Sequence, residues 1–144
     1  MAKKFSNGIF TPKNPKKVLG KVPIEFRSSW EFKVMQFLDS KANVKHWASE
    51  SIAIKYYDPV TKKYRNYIPD FLVEYVDAKG KTHVELVEVK PSSQALMENA
   101  KSKSDKFSVI TNQAKWAAAE AYCKANGLTF RILTEDQIYI TGKK

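Results

Sequence analysis

Residues 69–91, PDFLVEYVDAKGKTHVELVEVKP, decide how this chain folds. Asp70 to Val76 reads as a strand opened by Pro69, the run DAKGK from Asp77 to Lys81 as a turn, and Thr82 to Lys90 as a second strand that Pro91 stops. Both faces of Val84–Val89 become apolar toward the end, which predicts a central strand. Antiparallel pairing brings the start of the first strand beside the end of the second, so Asp70 and Glu88 converge. Glu88 and Lys90 are two apart and share a face.

That convergence has a chemistry. Two carboxylates and the backbone carbonyl of Val89 offer the oxygen ligands that a hard divalent cation such as Mg²⁺ prefers. Such a metal acidifies a bound water and neutralises charge on a scissile phosphate. Lys90, beside two carboxylates, keeps its proton, so an electrostatic role is expected of it, not that of a general base.

Upstream, Ser28 or Ser29 caps a helix running to about Ser40, with Trp30, Val34, Met35, Phe37 and Leu38 on one apolar arc. Glu31 falls inside that arc. Either a positive partner meets it on the core side, or it snorkels to the arc's edge near the helix start. If it points inward, it is the natural fourth member of the acidic set, holding the metal's water shell or a second metal. From Ser51 the period becomes two: Ile52, Ile54 and Tyr56 alternate, Asp58–Lys62 turns, and Tyr64–Tyr67 returns. Tyr56, Tyr57, Tyr64 and Tyr67 are expected to pack across this hairpin.

Downstream, Ser92–Lys103 is polar and reads as a helix or a lid-like segment. A better helix starts near Thr111 or Asn112 and runs from Gln113 to Asn126, with Trp116, Ala119 and Cys123 on one side and Gly127 as its stop. Leu128–Leu133 is a strand, and a short helix starts at Thr134. The order predicts an α/β or α+β sheet with helices packed on it.

Composition sets the outer limits. A chain of 144 residues with 43% hydrophobic and 12% aromatic content is a packed globule of one domain. It has no apolar run long enough to span a membrane and no apolar region after its N-terminus to mark it for secretion. A lone Cys123 forms no internal disulfide, and with only His46 and His83 beside it a Cys/His zinc cluster is excluded. The net charge is +10, and six units come from Lys3, Lys4, Lys13, Lys16, Lys17 and Lys21 within acid-free residues 1–23. Those residues read as a basic extended arm ahead of a domain spanning 24–144. The arm either meets a polyanion, with DNA the default, or is a solvated tail.

The ordered set Glu31, Pro69-Asp70 and Glu88-Val89-Lys90 resembles the PD-(D/E)xK restriction-endonuclease-like nucleases. The blocks Phe26–Glu31, Val44–Trp47, Ser49-Glu50, Tyr64-Arg65 and Tyr67–Phe71 are similar to the endonuclease subunit of heteromeric transposases. With Val87–Pro91, Asn112–Trp116 and Gly127–Glu135 the likeness extends to the head completion nucleases of T-even-type tailed phages, over residues 12–138. This resemblance implies a mixed sheet flanked by helices in a single domain, with Glu31, Asp70, Glu88 and Lys90 in the catalytic positions. It implies Mg²⁺, or Mn²⁺ in its place, as cofactor and no small-molecule cofactor. Activity on packaged DNA before head–tail joining is expected, with head or portal proteins as partners, no membrane, and the host cytoplasm as location. Retention in the virion stays open. Two alternatives stand beside it: a strand-specific endonuclease subunit of a transposase, and a non-catalytic DNA-binding virion protein of the same fold.

Among the remaining candidates, Arg27 either pairs with Glu31 one turn on or grips a phosphate. Lys115 is a phosphate contact through the resemblance, and Lys13, Lys16, Lys17 and Lys21 are candidate DNA contacts on the arm. Trp30, Trp47 and Trp116 are expected in the core, Gln94 at the surface, and His46 and His83 in structural or surface places.

Overall fold

The computed structural model describes residues 7–20, 22–91, 93 and 100–134. Its centre is a mixed four-stranded sheet of order β3-β6-β7-β8, built from Val44–Ser49, Phe71–Val76, Thr82–Val89 and Thr129–Leu133. β7 is central, as its sequence predicts. It runs antiparallel to β6 and parallel to β8. A parallel neighbour needs a long crossover, and helix α2, Lys103–Asn126, supplies it.

Strand alternation sends Phe71, Val73, Val87 and Val89 to one face, where Val34, Met35 and Leu38 of helix α1 (Ser29–Ser40) cover them. Leu72 and Leu86 point to the other face, onto Trp116, Ala119 and Cys123 of α2. Buried Val109, Asn112, Trp116, Ala119 and Cys123 follow the alternating three-four spacing of one helix face. The separate hairpin of β4 (Ile54–Asp58) and β5 (Lys63–Tyr67) packs Ile54, Tyr56 and Tyr67 on the same side. Asp58 locks its turn, accepting from Val60 N at 3.0 Å and Thr61 Oγ1 at 3.0 Å, and ties it to α2 through Thr111 Oγ1 at 3.3 Å.

One strand goes unread in the sequence, and two expectations change. Val44–Ser49 is a strand that the mixed run VKHWAS conceals. Helix α2 starts at Lys103, well before Thr111, because Ser102 caps it and accepts from Asp105 N at 3.0 Å. Within the expected arm, the described residues 8–14 pack onto the domain instead of standing apart from it. β1 (Gly8–Phe10) pairs with β2 (Ile24–Phe26), and Phe10 packs edge-on against Phe32 and Trp47. Asp39 then clasps the segment, accepting from Lys13 N at 2.9 Å and Asn14 N at 3.0 Å. Burial of Phe10 and satisfaction of the Asp39 carboxylate outweigh the solvation of a lysine-rich tail. The final helix expected from Thr134 and the surface Gln94 lie outside the described residues, apart from Thr134 itself.

Candidate active site

The β6–β7 register pairs Phe71 with Val87, so the next pair outward is Asp70 with Glu88. Pro69, fully buried, has no N–H to extend the ladder. The Asp70 carboxylate serves the β7 backbone as an acceptor instead: its Oδ2 accepts from Val89 N at 2.7 Å. Glu88 is 4% exposed, its Oε1 has no hydrogen-bond partner among the described residues, and Lys90 Nζ lies 3.7 Å from its Oε2. The structure thus brings together the three residues that sequence spacing assigns to one point.

The electrostatics are those of crowded negative charge. Burial, then the neighbouring Glu88, push the Asp70 carboxyl well above its ordinary range, although the Val89 N–H opposes them. Burial also raises Glu88, against the pull of Lys90. Asp70 keeps a window to solvent while protein surrounds most of its carboxylate. Tyr67, held protonated by burial and the Glu88 charge, lies near enough to shift that glutamate's proton affinity. The pair falls outside hydrogen-bond geometry, so the Tyr67 hydroxyl and Glu88 Oε1 both stay unpartnered.

Glu31 has a local task as well. Ser28 caps α1 by accepting from Glu31 N at 3.1 Å, and the Glu31 carboxylate reaches back to Arg27 N at 2.8 Å. This is a capping box displaced by one residue. Burial raises Glu31, and its charge is felt at Asp70 and by Lys90, so it borders the site. It does not close on the other two acids: among the described residues no three acidic, His or Cys side chains form a ready metal cluster. The Arg27 guanidinium turns to Glu50 instead of Glu31, which receives the Arg27 N–H. Glu50, at φ 51, turns the chain after β3 and donates its N–H to Asp70 O at 3.0 Å.

Lys115 projects from α2 over the rings of Tyr67 at 5.6 Å and Tyr56 at 6.0 Å. Burial and then Lys90 lower its pKa, while the Glu88 charge opposes them, as expected of a lysine near the end of β7. Of the expected tyrosine packing, Tyr57 and Tyr64 form an edge-on pair, whereas Tyr56 and Tyr67 turn inward to Lys115. Tyr67 and Glu50 are site neighbours that sequence periodicity did not single out. Lys17 is committed elsewhere. Its ammonium donates to Asp39 O and Lys41 O, both at 2.8 Å, at the C-terminal end of α1, where carbonyls lack partners. Lys13 and Lys16 are exposed, and Lys21 lies outside the described residues.

What the arrangement can do is hold a hard cation between Asp70 and Glu88 with lysines nearby for an anionic substrate. Comparison with known proteins agrees with that geometry. The chain is 29% identical to the head completion nuclease of Enterobacteria phage T4 over 146 aligned positions, covering 96% of this chain and 97% of the relative. The family model for the TnsA-like endonuclease N terminal matches residues 41–135, which contain Asp70, Glu88, Lys90 and Lys115 but not Glu31. The sheet and its two flanking helices make the restriction-endonuclease-like α+β fold that the resemblance implied. The chain belongs to the TnsA-like endonuclease N-terminal family.

Proposed function

We propose that this chain is a Mg²⁺-dependent deoxyribonuclease that trims packaged DNA during phage head completion, before heads and tails join. The pairing of Asp70 with Glu88 carries the reading. Two carboxylates with raised proton affinity and an unpartnered Glu88 oxygen make a donor set that gains by taking up a cation. Asp70, Glu88 and the Val89 carbonyl would hold it, with Glu31 acting through water or on a second ion. When bound, the metal supplies Lewis-acid stabilisation of the phosphate and a more acidic water.

The chain's own groups do the rest. Lys90 sets a fixed positive charge beside Glu88, where charge grows on the phosphate. Tyr67 stays protonated and can donate a hydrogen bond. Lys115 is a phosphate contact held in place by two tyrosine rings. Arg27 and the exposed Lys13 and Lys16 extend the basic surface for DNA, and Lys21 belongs to the same proposal. Head or portal proteins are the expected partners and the host cytoplasm the place of assembly, with the virion as a later location; no helix among the described residues is long and apolar enough to cross a membrane. The family match favours a second reading, a strand-specific endonuclease subunit of a transposase complex.

The test is cleavage of duplex, branched and single-stranded DNA by the purified chain. Cutting is expected with Mg²⁺ or Mn²⁺ and stops with EDTA, and Asp70→Ala binds DNA without cutting it. Normal cutting by Asp70→Ala or Lys90→Ala would overturn the site assignment. No cutting of any form would turn the reading to a DNA-binding virion protein.

A further inference from the structure

The start of α2 at Lys103 creates a feature that the shorter predicted helix did not contain. Lys103, Phe107, Thr111 and Lys115 recur every four residues, so they form one row along the helix. This row lines an open groove of about 510 Å³ that Lys90 also lines. From Lys103 to Lys115 the row spans about 18 Å. No carboxylate lines the groove among the described residues, and Lys90, Lys103 and Lys115 make it cationic. Phe107, in its middle, is 49% exposed.

Two of these placements work against helix and core stability. Lys103 sits in the first turn of α2, where the helix dipole disfavours a positive charge. An aromatic ring left half in water forgoes the burial that such a residue normally gains. Each placement is accounted for by one occupant. Spaced cations accept successive phosphates, and an exposed ring between them accepts the face of a base. Bases in a duplex already stack on each other and have no free face to offer, so the occupant has unstacked bases.

We infer that the α2 groove binds a single-stranded segment of DNA next to the catalytic centre, with Phe107 stacking on a base and Lys103 and Lys115 holding flanking phosphates. The substrate class that follows is a duplex carrying a single-stranded tail or flap, delivered to Asp70, Glu88 and Lys90. The inference rests on the reading of the site as a DNA nuclease.

The experiment compares a fluorescein-labelled blunt duplex with the same duplex carrying a 5′ or 3′ single-stranded tail. Binding is read by fluorescence anisotropy with Ca²⁺ in place of Mg²⁺, and cleavage is read in parallel with Mg²⁺. The unmutated chain is expected to prefer a tailed duplex. Phe107→Ala should weaken tail binding about tenfold, the size of one lost stack, and leave the blunt duplex unchanged. Phe107→Trp should restore the preference, its added emission quenched by tailed DNA only. Lys103→Ala should reduce the salt slope for tailed DNA by about 0.7. Equal affinity for blunt and tailed DNA, or a tail preference that survives Phe107→Ala, overturns the groove assignment even if cleavage is robust. A tail preference that depends on Phe107 with no cleavage supports the groove and overturns the catalytic reading. A protein that neither binds nor cuts either probe overturns both.

Discussion

Strand β7 buries two glutamates three residues apart, on opposite faces of the sheet, and their surroundings differ in kind. Glu85 accepts from Arg131 Nε at 2.7 Å, Arg131 Nη2 at 2.9 Å and Tyr75 Oη at 2.7 Å. Burial alone would raise its pKa, but the Arg131 and Tyr75 bonds outweigh it and hold the carboxyl below its ordinary range. Glu88 has an unpartnered oxygen, one lysine 3.7 Å from its other oxygen and a second carboxylate opposite, and its pKa is raised. One strand therefore shows how this fold pairs a buried charge when charge serves stability. The neighbouring exception is the place where the proposed function puts a bound cation.

The comparison can be broken by exchanging consequences. Glu88→Gln is expected to lower cleavage by about 10²–10³-fold or more, while Glu85→Gln leaves turnover within a few fold, measured as initial rates on a DNA the chain cuts. Comparable losses in both would end the distinction. Stability should show the reverse. Arg131→Ala leaves Glu85 buried and unpaired, and unfolding in urea should register a loss of about 2–3 kcal/mol, less than a fully buried pair because the Arg131 side chain is half exposed.

Acid titration sharpens the contrast through opposite signs. The Glu85 contribution is present above its unfolded value and is lost as pH falls through the lowered folded one. Asp70 and Glu88, with raised folded values, favour the fold while protonated, and that contribution is lost as pH rises through those values. Without divalent ions at neutral pH, Asp70→Asn should therefore melt a few degrees higher than the unmutated chain. Mg²⁺ should raise the melting temperature of the unmutated chain and leave Asp70→Asn unmoved. The smallest effect concerns the helix start that holds Glu31. Ser28→Ala should cost about 1 kcal/mol in urea unfolding and reduce cleavage modestly by loosening that carboxylate.

How much of this was legible in the sequence depended on range. Asp70, Glu88 and Lys90 could be read together because a single turn joins their strands, and strand alternation then fixes which side chains share a face. Ser28 and the hairpin turn at Asp58 are likewise local signals. Glu85 and Arg131 lie 46 residues apart and meet through a parallel pairing that no local pattern encodes. The clasp of Asp39 on Lys13 and Asn14 was hidden for the same reason, so a lysine-rich segment looked free. The early half of α2 was obscured by its lysines and serines, and with it the row from Lys103 to Lys115. Glu31 was legible as an acid within the apolar arc, inward or at its edge, but its bond to Arg27 N was not.

The parallel pairing of β7 with β8 has a bearing on synthesis. A nascent chain that has emerged only as far as Asn126 already contains Glu31, Asp70, Glu88 and Lys90, yet β7 is then an open edge and Glu85 has no guanidinium. An edge strand with a buried, unpaired charge is poorly held and prone to mispair. The residues that would cut DNA are thus translated early but braced late, by Thr129–Leu133, after α2 has crossed the sheet.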